Sequence, residues 1–154
     1  MMRSNCIDEL KGYNQNNFIM ADIKHSISIK ASSANIYELL VTKKGIQKWL
    51  TKEDGWKIVG KETLGDILFF HFGADHHELK ISKLDTNKEV KWDCIFGHPD
   101  WISTFILFRI ENKGDKNILH FEHNGWKSKT EFFNQCNQVW AGCVEDIKHI
   151  AEKR

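Results

Sequence analysis

Apolar and polar residues alternate strictly from Ile23. Ile23, His25, Ile27 and Ile29 share one parity, and Lys24, Ser26, Ser28 and Lys30 the other. A period of two predicts a half-buried strand. The period then lengthens: Ser32-Ser33 supplies an N-cap, and Ile36, Leu39 and Leu40 recur at helical spacing. Gly45 is expected to end that helix in the left-handed conformation, and a second short helix carries Ile46, Trp49 and Leu50. From about Trp56 to His123 the pattern returns to strands, with turn signals at 61–65, 73–75, 85–87, 97–100 and 112–115. Val90, Trp92, Cys94 and Phe96 alternate with Lys91 and Asp93, and Leu119, Phe121 and His123 with His120 and Glu122. No helical stretch separates these strands, so the predicted sheet is an antiparallel meander. Pro99, the one proline, falls in a turn.

Residues 128–152 predict a long helix. Ser128 and Glu131 read as a capping box, and Phe132, Cys136, Val139, Trp140, Cys143, Ile147 and Ile150 as the buried stripe. Such a helix is about 37 Å long, enough to cross a sheet, and must bury its stripe on one face of it. The predicted fold is α+β: a curved antiparallel sheet of six or seven strands wrapped on the C-terminal helix, with two short helices after the first strand. Residues 1–22 show no apolar period and read as a flexible N-terminal arm, which leaves 23–154 as one domain. Met20 stands just ahead of the pattern and is an alternative start to Met1.

Composition narrows the function classes. The chain has 154 residues, 41% hydrophobic and 12% aromatic, enough for one sizeable core. With 22 basic and 21 acidic residues the net charge is +1, so neither nucleic acid nor a membrane surface is an expected partner. The longest apolar run, residues 67–70, is far short of a membrane span. Asp8 and Glu9 sit where a signal peptide would be apolar, so a cytoplasmic location is expected. Cys6, Cys94, Cys136 and Cys143 include no Cys-x-x-Cys pair. Cys136 and Cys143 share a helical face about 10 Å apart, too far for a disulfide, so reduced core cysteines are expected.

Six histidines crowd the sheet region: His71, His76, His77, His98, His120 and His123. Neighbours in this set point to opposite faces of a strand, so no metal site is expected, and the side chains should be exposed or singly hydrogen-bonded. There is no Gly-x-Ser-x-Gly elbow, phosphate-binding glycine loop or paired core carboxylate, and Cys94 lies among apolar neighbours that disfavour a thiolate. No cofactor is expected. His123 has the parity of Leu119 and Phe121 and should face the helix, either as a core histidine bonded to a carbonyl or as a group orienting a ligand. Trp49, Trp56, Trp92 and Trp140 with Phe69, Phe72 and Phe108 would line a pocket between sheet and helix. Gly142, in mid-helix, should mark a close approach to the sheet or a cavity mouth. If Ile102, Ile106, Phe108 and Ile110 face the helix, Trp101, Phe105 and Leu107 lie outside as a surface for a homodimer.

The order of elements resembles the helix-grip fold of the START-related (SRPBCC) superfamily. Ile36-Tyr37-Glu38-Leu39-Leu40 followed by Ile46-Gln47-Lys48-Trp49-Leu50, then Glu89-Val90-Lys91-Trp92, look like the family's paired short helices and mid-sheet strand. His123-Asn124-Gly125 resembles its His-x-Gly corner, and Trp140 with Val144, Ile147-Lys148 and Ile150 its closing helix. These motifs are similar to those of the heat-shock-protein-90 ATPase activator homologues, over about Ile23 to Lys153. Prolines common in the family are absent, with Ser33 and Lys44 nearby instead. The co-chaperone members carry a separate N-terminal domain, whereas 22 residues precede the first strand here, so activation of the chaperone ATPase is not carried over. The expectation is non-enzymatic binding of a small hydrophobic ligand, with Trp49, Trp92, Phe121 and Trp140 as wall and His123 as polar anchor. The alternatives are a chaperone-interacting module, with the stress-response role the resemblance implies, and a cyclase- or hydrolase-like enzyme using a pocket histidine.

Overall fold

The computed structural model describes residues 21–50, 57–72 and 74–153. Ten elements follow in order: β1 (Ala21–Ile29), α1 (Ser33–Val41), α2 (Lys43–Leu50), β2 (Lys57–Gly60), β3 (Ile67–Phe72), β4 (Asp75–Asp85), β5 (Glu89–Phe96), β6 (Phe105–Asn112), β7 (Asn117–Trp126) and α3 (Glu131–Glu152). The strands form one seven-stranded antiparallel sheet in the order β1-β7-β6-β5-β4-β3-β2. This is the helix-grip arrangement expected from the sequence. Of the arm expected at 1–22, Ala21 and Asp22 belong to β1, and residues 1–20, with Cys6 and the Met20 start, lie outside the described residues, as does Trp56.

Alternation decides the inner face. Ile23 and Ile29 of β1, Leu119, Phe121 and His123 of β7, Ile106, Phe108 and Ile110 of β6, and Val90, Trp92 and Cys94 of β5 are all buried. The alternation fails at the end of β5, where Phe96 is 51% exposed. The outer face is polar: Ser26 hydrogen-bonds His120, which in turn meets Glu111 at 2.8 Å, and Lys83 pairs with Glu89 at 3.0 Å. Helix α3 packs chiefly along β1, at one side of the sheet, while α1 and α2 fill the space beside it.

Several local expectations are corrected. Gly45 lies inside α2 and does not end α1. Thr42 is the C-cap of α1, with extended φ and ψ, and its Oγ1 accepts from the Gly45 N–H at 2.9 Å. A Cβ at position 45 would stand 2.6 Å from the Glu38 carbonyl oxygen, so the glycine permits the two helices to meet. The tie is completed by Trp49, whose indole N–H donates to the Leu39 carbonyl at 2.7 Å.

The capping box of α3 is not formed. Thr130 is the N-cap, accepting from the Phe133 N–H at 3.2 Å, so the helix starts three residues after Ser128. The buried stripe is accordingly Phe133, Cys136, Trp140, Cys143, Val144, Ile147 and Ala151, while Val139 is 53% exposed. Cys94, Cys136 and Cys143 are buried. A Cβ added at Gly142 would meet nothing within 4 Å, so this glycine marks no close approach to the sheet, and it is not among the residues lining the cavity described below. Its presence in mid-helix has no structural explanation.

Trp101 is a further correction. The predicted strand from Trp101 onward starts only at Phe105, because residues 97–104 form a turn with Ser103 at φ 74°. The Trp101 N–H donates to the His98 carbonyl and the Thr104 N–H to the Trp101 carbonyl. The turn breaks the parity between 101 and 105: Trp101 is buried on the helix side instead of lying on the outer face, and Ile102, expected to face the helix, is exposed. Phe105 and Leu107 do lie on the outer face, half-buried, with the Lys91 ammonium 4.5 Å from the Phe105 ring centroid.

Candidate functional site

The interior is organised around His123, which is fully buried on β7. Burial pushes its pKa down to about 3, with a smaller contribution from His77, so the ring is neutral. Both nitrogens are engaged: the Trp140 indole lies 3.1 Å from Nδ1 and the Thr104 hydroxyl 2.8 Å from Nε2. An indole N–H can only donate, so Nδ1 accepts and Nε2 carries the proton. Nε2–H therefore donates to Thr104 Oγ1, and the hydroxyl passes its own proton to the Trp101 carbonyl at 2.6 Å. The relay from α3 through β7 to the 97–104 turn leaves no atom of His123 for a ligand.

His123 faces the helix as its parity predicts. It is a core histidine, but its partners are side chains and not a carbonyl. Trp126, unremarked in the sequence, packs beside it with ring centroids 4.8 Å apart. Residues 123 and 126 can share a face because Ala21 pairs with Trp126 and Ile23 with His123, which puts an extra residue in β7. Gly125, at φ 93°, takes up that bulge.

The same turn holds the N-terminal end of α3. His98 stacks on Phe132 with centroids 3.8 Å apart, and its Nδ1 accepts from the Asp100 N–H at 3.0 Å. The Thr130 hydroxyl donates to Asp100 Oδ2 at 2.7 Å while capping the helix.

Between this turn, the β3–β4 end of the sheet and α3 lies a cavity of about 600 Å³. Its apolar wall comes from Leu50, Phe72, Trp101, Phe132 and Trp140, and the half-exposed Phe96 and Val139 stand at its rim. Of the expected wall, Trp140 reaches the cavity. Trp49, Trp92, Phe121 and His123 do not line it: they pack in the closed core, with Trp49 on Phe108, Trp92 on Phe70 and Phe108, and Phe121 on Trp140. Phe72 lines the cavity, whereas Phe69 sits beside His76.

His77 is the polar residue that parity arguments passed over. It is 5% exposed, lines the cavity and lies with its ring 4.3 Å from that of Trp101. Burial pushes its pKa down to about 4, against a smaller opposing pull from Asp75. His77 and His123 thus depart from the expectation of exposed or singly bonded histidines. His76 and His77 diverge as expected, as do His120 and His123. The Cys94 and Cys136 thiols are pushed up by burial, to about 12 and about 11, which leaves them protonated. Among the described residues no three His, Cys, Asp or Glu side chains converge on a metal position, and no helix is long and apolar enough to cross a membrane.

Neither family models nor curated proteins match the sequence. Solved structures do. The Aha1 dimer from Colwellia psychrerythraea is 34% identical, with a TM-score of 0.78 over 86% of this chain and 97% of that one. The ginseng major latex-like protein 151 from Panax ginseng is 15% identical, with a TM-score of 0.69 over 86% and 97%. CalU16 from Micromonospora echinospora is 12% identical, with a TM-score of 0.68 over 85% and 74%. The last two share the fold alone.

The two depressed histidines make stability depend on pH. The unfolded chain binds a proton on each ring near pH 6.5, but the folded chain binds it only near 4 at His77 and near 3 at His123. Their stabilising contribution is complete above about pH 6.5 and is lost on acidification, at up to about 1.4 kcal/mol per pH unit for each ring. Thermal unfolding is therefore expected at a markedly lower temperature at pH 5 than at pH 7.5, and His77→Phe should reduce the difference. Equal melting temperatures at the two pH values would contradict the assignment of neutral buried rings.

Proposed function

This chain belongs to the family of heat-shock-protein-90 ATPase activator homologues within the START-related superfamily, and within that family we propose that it binds a small hydrophobic ligand without transforming it. The observation that carries this reading is the cavity of about 600 Å³ with its aromatic wall, a size suited to a drug-like molecule. It is preferred to a chaperone-interacting role because the described residues build a concave apolar site. It is preferred to a cyclase- or hydrolase-like role because both nitrogens of His123 are engaged, and because no carboxylate is hydrogen-bonded to Nδ1 of His77, the buried histidine of the cavity wall, to orient it as a base. The contacts expected for Trp49, Trp92, Phe121 and His123 become indirect, since these residues support the wall that Trp101, Phe132 and Trp140 present.

The test is a screen of flat hydrophobic compounds by thermal shift. A ligand that binds only the folded chain, at 100 times its dissociation constant, adds about 2.7 kcal/mol of stability. Hits at micromolar affinity are expected, and replacing Trp140 by Ala should abolish them in whatever fraction of the variant remains folded. A screen without a single saturable hit would overturn the reading.

A second reading concerns assembly. The similar Colwellia protein is described as a dimer, and this chain exposes Ile95 and Ile102, 44% and 41% accessible, beside Phe105 on the outer side of the 97–104 turn. We propose a homodimer through these three residues, in place of the face that included Trp101. Light scattering on the full chain should give twice the monomer mass, and Ile102→Glu the monomer mass. A wild-type monomer at the concentrations used for NMR would refute it.

A further inference from the structure

Among the described residues His77 makes no hydrogen bond through either ring nitrogen, although it is 5% exposed and lies on the cavity wall. An unpaired polar group in that position costs free energy unless something else satisfies it. Its Nδ1 is enclosed without a partner, while Nε2 is not among the enclosed, unpartnered atoms and retains access. What encloses Nδ1 is Gly97: a Cβ built there would stand 2.1 Å from it, so the glycine hydrogen in that place points straight at the nitrogen. A proton on Nδ1 would meet that hydrogen head on, whereas a lone pair accepts it as a weak C–H contact. Gly97, at φ 140°, can occupy this position because it has no side chain. The proton therefore resides on Nε2, the accessible nitrogen.

The remaining chemistry of the wall defines what can meet that N–H. Among the described lining residues there is no Lys or Arg, and Asp75 supplies a carboxylate, so an anionic ligand finds no counter-charge. The rings of Trp101, Phe132 and Trp140 favour a flat aromatic body. We propose that His77, through Nε2–H, is the donor that selects a neutral, flat aromatic ligand carrying a carbonyl acceptor. This rests on the ligand-binding reading above and names the class of ligand for that cavity.

Fluorene and 9-fluorenone share one flat skeleton and differ in a methylene against a carbonyl, so they isolate the acceptor. Titrated into the full chain, fluorenone is expected to bind about tenfold tighter than fluorene, the gain of one hydrogen bond. His77→Phe should bind both equally, near the wild-type affinity for fluorene, and His77→Gln, which keeps a donor, should recover part of the preference. Binding of both compounds by the wild type without preference, or a preference that survives in His77→Phe, would overturn the role of His77 while leaving the cavity intact. Failure of both compounds to bind the wild type would remove the ligand-binding reading, and this inference with it. A tautomer measurement needs no variant to fold: the long-range proton–nitrogen spectrum of the ligand-free wild type should show His77 protonated at Nε2. A proton on Nδ1 would overturn the assignment.

Discussion

The helix, the sheet and the 97–104 turn meet at one neutral imidazole. His123 accepts from Trp140 of α3 and donates to Thr104, whose hydroxyl is anchored on the Trp101 carbonyl. The direction of each bond follows from the indole, which has no acceptor, so the chain of donors can run only one way. A proton added to Nδ1 would face the indole N–H and break the link to α3. The depressed pKa and the geometry are two expressions of one constraint: this ring must stay uncharged for the interior to close.

The position of the cavity follows from that constraint. Helix α3 lies along β1, and the relay draws the turn and Trp101 toward Trp140, with ring centroids 6.2 Å apart. Stacking of His98 on Phe132 and the Asp100–Thr130 bond fix the other end of the turn against the start of the helix. What stays open is the region between the turn, α3 and the β3–β4 end of the sheet. The core under Trp49, Trp92 and Phe121 is closed, and the cavity wall lies nearer the turn.

Much of the framework was legible in the amino-acid order because it depends on simple periods. Alternation from Ile23 to Ile29 and from Leu119 to His123 placed these residues inside, and helical spacing around Trp140 placed α3 against them. The site was less legible because irregular backbone decides it. Trp126 turns inward through the bulge at Gly125, and Trp101 through the turn at Ser103, and both change parity in ways that counting residues does not reveal. His77 had the right parity, but its meaning depends on Gly97, twenty positions away, standing against Nδ1. Pairings of that range are set by strand register, so a histidine-rich stretch alone showed only where such residues cluster.

The central claim is that a ligand enters beside the turn and not into the aromatic core. A proton–nitrogen correlation spectrum of the full chain during titration with fluorene tests it most directly, because each tryptophan contributes its own indole signal. The account predicts saturable shifts of the Trp101 and Trp140 signals, with the Trp49 indole, bonded to the Leu39 carbonyl, unchanged. Shifts confined to residues around Ile95, Ile102 and Phe105, or movement of Trp49 without Trp101, would contradict it.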